Sequence, residues 1–100
     1  MQTVSLATAL RVSDDVVFRE LDGEAVILNL VSGIYFGLDQ VGTRMWQLVE
    51  QHAQLDAVLL QLRDEYDAPA ETLEQDLVRL MSQLLDKGLL VIADAARASS

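Results

Sequence analysis

The chain of 100 residues contains no cysteine. That removes disulfides, thiolate metal ligands and a thiol nucleophile. Its single histidine, His52, leaves a zinc site without a second imidazole or a sulfur. A Ser-His-Asp set would have to use His52, and no serine has the setting of a nucleophile elbow. Lys and Arg together number 7 against 16 acidic residues, a formal charge of −9. That balance repels phosphate backbones and anionic lipid, and no cluster of Lys and Arg offsets it locally. The glycines are spread out, so there is no phosphate-cradling loop. No apolar run approaches the ~20 residues of a membrane span. The N-terminus lacks the basic start and apolar core of a signal peptide. The expectation is a cytoplasmic protein with no metal and no cofactor that is not an enzyme.

What is present is one foldable domain. Half the residues are hydrophobic and only one is proline, enough apolar side chain for a single core. Val16 to Leu21 reads as a strand, followed by Asp22-Gly23. Asp-Gly between extended runs marks a type I′ hairpin, because both central residues need φ > 0. A two-residue loop pairs Phe18 with Ile27 and Val17 with Leu28. Val26, Leu28 and Leu30 then alternate with Ile27 and Asn29, and Ile34, Phe36 and Leu38 alternate with Tyr35 and Gly37. Val31-Ser32-Gly33 between them fits a three-residue loop closed by a left-handed Gly33. That loop would pair Leu30 with Ile34 and Leu28 with Phe36. It would gather the larger apolar residues on one face and leave Val16, Phe18, Ile27 and Tyr35 on the other, under the N-terminal arm or the C-terminal strand. Asp39 suits a helix N-cap.

Three helices follow. The first spans about Gln40 to His52, with Val41, Met45, Leu48 and Val49 on one stripe and Trp46 on its flank. Trp46 is expected to pack between two helices with its N–H on a carbonyl or water. The second runs from about Leu55 to Tyr66. Pro69 suits the first turn of a third helix, about Ala70 to Lys87. Leu73, Leu77, Leu80 and Leu84 form its central stripe, widened to one side by Val78, Met81 and Leu85. Lys87-Gly88 is a helix stop, and Leu89 to Ile92 a short strand. Strands followed by helices imply an α+β fold: a three-stranded antiparallel sheet and then a three-helix bundle, resembling a winged helix-turn-helix. The expected organisation is a loosely ordered arm over 1–15, a domain over 16–92 and a flexible tail over 93–100.

Leu21 to Leu30, Ser32 to Asp39, Val41-Gly42, Trp46, Tyr66-Asp67 and Lys87 to Leu90 together resemble the coenzyme PQQ synthesis protein D family over roughly residues 16–92. Asp39 stands where many members have Asn, and both cap helices. The resemblance implies a non-catalytic peptide-recognition element. It would bind the leader segment of a ribosomally synthesised precursor peptide and present it to a maturation enzyme such as a radical SAM enzyme, a protease or a cyclase. The leader would add as a strand beside the third strand and lie against the third helix. The residues then singled out are the edge Ile34, Tyr35, Phe36, Gly37 and Leu38, a wall of Val78, Met81 and Leu85, and Arg44 and Arg79 at the rim. An edge strand without proline supplies what a peptide strand needs, and a flexible methionine adapts to varied partners. Two other classes stand beside this one. A winged-helix DNA binder is poorly served by a third helix with only Arg79 and Lys87 among four acids. An interaction module without a peptide substrate, such as a homodimer, would use the same edge on itself.

Overall fold

The computed structural model describes residues 4–93. In chain order the elements are β1 (Leu10–Val12), β2 (Val16–Leu21), β3 (Glu24–Asn29), β4 (Tyr35–Leu38), α1 (Gln40–His52), α2 (Leu55–Glu65), α3 (Ala70–Asp86) and β5 (Leu90–Ile92). β2, β3 and β4 form an antiparallel meander, and β1 pairs with β5 in a separate two-stranded sheet. The expected α+β architecture stands: a three-stranded antiparallel sheet followed by three helices.

The first hairpin has the register its turn dictates. Phe18 pairs with Ile27 and Val17 with Leu28. Asp22 and Gly23 have φ of 56° and 83°, the two positive values a type I′ turn requires.

The second hairpin is shifted by one residue from the expected register. Leu28 pairs with Tyr35 and Ile27 with Phe36, not Leu28 with Phe36. The cause is the side chain of Asn29. Its Oδ1 accepts the N–H groups of Val31 and Ser32 at 2.9 and 3.1 Å, an Asx turn that starts the loop at Leu30. Its Nδ2 donates to the Gly88 carbonyl at 3.1 Å, which holds Asn29 on the inner face. The loop is therefore four residues long, Leu30 to Gly33, and Gly33 takes the left-handed conformation expected of it (φ 77°).

A one-residue slip sends side chains to opposite faces. Ala25, Ile27 and Leu38 are buried, with Val16, Phe18 and Phe36 packed against them. Val17, Leu21, Val26 and Tyr35 are exposed instead. The face expected to need separate cover is, apart from Tyr35, the core face, and α1 covers it. Phe18 stacks on Trp46 with ring centroids 5.9 Å apart and planes 2° from parallel. Trp46 thus packs on the sheet rather than only between helices. Its buried Nε1–H meets no carbonyl among the described residues.

The N-terminal arm packs on the rest of the domain where it is described. Val4 and Leu10 are buried in the core. Leu55 and Asp56 donate backbone N–H groups to Thr8 and Leu6 carbonyls, and Leu10 donates to Ala53. β1 then pairs Leu10 with Ile92 and Val12 with Leu90. These links lace the arm across the α1–α2 junction and onto β5. Residues 1–3, and 94–100 of the tail, lie outside the described residues.

Candidate functional site

The meander leaves β4 as one outer strand of the sheet. Asn29 N–H donates to the Ile34 carbonyl at 2.9 Å, so Asn29 and Ile34 are a hydrogen-bonded pair. Alternation along an antiparallel ladder then makes Ile27–Phe36 and Ala25–Leu38 the next bonded pairs. Tyr35 and Gly37 fall between them. Their N–H and C=O groups point away from β3, and none meets a backbone partner among the described residues. The edge therefore offers two residues with a free donor and acceptor each.

A groove runs beside this edge. Phe36, Gly37 and Leu38 form one wall, and the start of α1 contributes Val41, Gly42 and Met45. Asp76, Arg79, Leu80 and Gln83 of α3 form the other wall. The start of α1 lies close against the middle of α3. A Cβ on Gly42 would sit 3.3 Å from a Leu38 methyl and 3.4 Å from a Leu80 methyl, so glycine there keeps the floor open. Lys87, one turn beyond Gln83, places its Nζ 5.9 Å from the Phe36 ring centroid, within range of a cation–π contact. Asp39 caps α1, accepting the Gly42 N–H at 2.8 Å.

The sequence-derived site residues divide three ways. Tyr35, Phe36, Gly37 and Leu38 lie together on β4, and Ile34 closes the loop before it. Arg79 lies in the groove, 2.8 Å from Asp76 Oδ1 in an exposed pair. The remaining four do not line it. Met81 is 0% exposed and belongs to the core with Leu73, Leu77 and Leu84. Val78 and Leu85 lie on the opposite flank of that buried stripe from Leu80 and Gln83. Arg44 is held elsewhere by a two-pronged contact to Glu65, Nε to Oε1 at 2.7 Å and Nη2 to Oε2 at 2.6 Å. That contact ties α1 to the end of α2 and lowers the Glu65 carboxyl to a pKa of about 2, mainly through the Arg44 hydrogen bond.

Sequence reasoning missed Leu80 as a groove residue, along with Gln83, Asp76 and Lys87. The apolar arc of α3 is wide on both sides, and periodicity alone cannot say which flank meets β4. The turn at Gly88 holds the answer. Its carbonyl accepts Asn29 Nδ2 and the Ser13 hydroxyl, so the end of α3 is pinned against the sheet with Lys87 toward Phe36.

A winged helix-turn-helix-like α+β domain with a free sheet edge beside its last helix is the class these features define. The family model for coenzyme PQQ synthesis protein D (PqqD) matches residues 24–90, and the chain belongs to that family. One solved structure, TbiB1 in complex with the TbiA(beta) leader peptide, is similar with a TM-score of 0.75 and 39% identity. The match covers 80% of this chain and 93% of that one. A second, lasso peptide synthetase B1 complexed with the leader peptide, shares the fold with a TM-score of 0.74 at 22% identity, over 83% of this chain and 98% of that one. A comparison with curated proteins finds no match.

Proposed function

We propose that this chain is a non-catalytic carrier that binds the leader segment of a ribosomally made precursor peptide as an added strand on β4 and presents it to a maturation enzyme. The observation that carries the reading is the outward N–H and C=O groups of Tyr35 and Gly37 beside a groove walled by α3. An extended peptide pairing with both residues makes up to four backbone hydrogen bonds, which give register. Its inward side chains enter the groove over Leu80 and Met45, which gives selectivity. The similar structure that is 39% identical supports a leader peptide as the ligand, since it is a complex with one. Among the described residues no helix is long and apolar enough to cross a membrane, which suits a partner working where precursors are made, in the cytoplasm. The peptide and a second copy of the chain would compete for this edge, so peptide binding excludes a dimer formed through β4.

The test is Gly37→Pro. Proline is tolerated on an edge strand where its missing N–H would face solvent, so β3–β4 pairing survives while one outward donor is lost. Titration with the leader of the chain's own precursor should show binding weakened about tenfold or more, with the circular dichroism unchanged. Equal affinity for both proteins would overturn the strand-addition mode.

A further inference from the structure

We propose that Lys87 selects an acidic side chain on the bound peptide, two residues C-terminal to the apolar residue that fills the groove. The inference rests on the strand-addition reading and adds the charge and direction of the ligand.

The two ends of the groove differ in charge. At the end nearest α1, Arg79 already faces Asp76 at 2.8 Å, and Asp39 adds a carboxylate occupied in capping α1. That end presents no net cation. At the other end Lys87 is exposed, and among the described residues no carboxylate lies within ion-pair distance of it. Its Nζ is held above Phe36, on the apolar wall of the groove. The partial negative charge of a helix C-terminus is muted there. The Gly88 N–H donates to the Leu85 carbonyl and the Leu89 N–H to the Leu84 carbonyl, which caps the last turn. On a chain of net charge −9, Lys87 is, among the described residues of the groove, the cation without a carboxylate partner.

Geometry then sets order and spacing. α3 runs antiparallel to β4: Lys87 faces Phe36, whereas Asp76 and Arg79 lie toward Leu38 and Gly42. A peptide that adds antiparallel to β4 passes the Arg79 end first and reaches Lys87 last. Side chains on one face of a strand recur every ~6.6 Å. Leu80 and Lys87 are ~10.5 Å apart along the helix, and the lysine stem reaches back over Phe36 to close most of the difference. An apolar residue over Leu80 therefore places the residue two positions later beside the ammonium group. A carboxylate there gains an ion pair at the groove rim, worth about fivefold in affinity, and a lysine or arginine there is repelled.

The ligand need not be known to test this. A phage-displayed library of random dodecapeptides is panned on the wild-type chain, Lys87→Glu, Lys87→Gln and Gly37→Pro. Peptides recovered on wild type and lost on Gly37→Pro should carry Asp or Glu two residues after an apolar anchor. On Lys87→Glu the anchor should persist and the acid should change to Lys or Arg; on Lys87→Gln the charge preference should fade without reversing. A synthetic peptide from the wild-type pool should lose about tenfold on Lys87→Glu and recover when its acid is replaced by lysine. The same charge preference on wild type and Lys87→Glu, with both folded by circular dichroism, would overturn the role of Lys87 alone. A wild-type pool indifferent to Gly37→Pro would overturn the strand-addition reading, and this inference with it.

Discussion

The Asn29 side-chain amide donates to the carbonyl of Gly88 at 3.1 Å, joining the end of β3 to the turn after α3 across 59 residues of chain. The same side chain accepts two backbone N–H groups of the next loop. One residue thus sets the register of β4 and pins the helix that walls the groove. The site depends on it without containing it.

Asn29→Ala should therefore destabilise the domain by about 1–2 kcal/mol, the scale of losing a few partly exposed hydrogen bonds. The Ser13 hydroxyl still reaches the Gly88 carbonyl at 2.8 Å, so that acceptor is not orphaned and the cost stays moderate. Urea unfolding measures it. The amides of Val31 and Ser32 should also exchange faster in the folded state.

The two flanks of α3 predict opposite phenotypes. Met81 is fully buried, and an unpaired carboxylate there costs several kcal/mol, a large share of a small domain's ~5–15 kcal/mol. Met81→Asp should abolish the cooperative unfolding transition. Gln83 is exposed in the groove. Gln83→Asp should leave the unfolding midpoint within a few tenths of a molar of wild type while weakening peptide binding.

The Arg44–Glu65 contact gives the stability a specific pH dependence. Glu65 titrates at about 2 in the folded chain against 4.5 for the free group, chiefly because of the Arg44 hydrogen bond. The unfolded chain then binds the proton first, so this contribution is complete above pH ~4.5 and is lost as pH falls toward 2. Both side chains are partly exposed, at 34% and 25%, so solvent screening limits its size to about 1 kcal/mol. Glu65→Gln should be less stable than wild type by that amount at pH 7. The gap should close between pH 4.5 and 2 in parallel urea titrations.

The elements whose geometry is local were legible in the sequence. Asp22-Gly23 dictated its turn, and all six pairs of the first hairpin follow from it. Asp39 and Lys87-Gly88 bracket the helices close to where they run. What was not legible depends on contacts far apart in sequence. Asn29 reads as an ordinary polar residue in an alternating strand until Gly88 is beside it. β1 is three residues long, too short for a period to register, and is held by pairing with β5. The groove's edge was readable because Ile34 to Leu38 ends a meander. Its helical wall was not, because Leu80 and Met81 are neighbours in sequence and one burial decision separates core from site.

The central claim is that a peptide adds as a strand to β4, and amide hydrogen exchange read by NMR tests it residue by residue. The Tyr35 and Gly37 amides point outward, whereas the Phe36 and Leu38 amides already face β3. With the leader of its own precursor at saturation, exchange at Tyr35 and Gly37 should slow by tenfold or more, and exchange at Phe36 and Leu38 should change little. Protection confined to α2 and the N-terminal arm, with Tyr35 and Gly37 exchanging as in the free chain, would contradict the account.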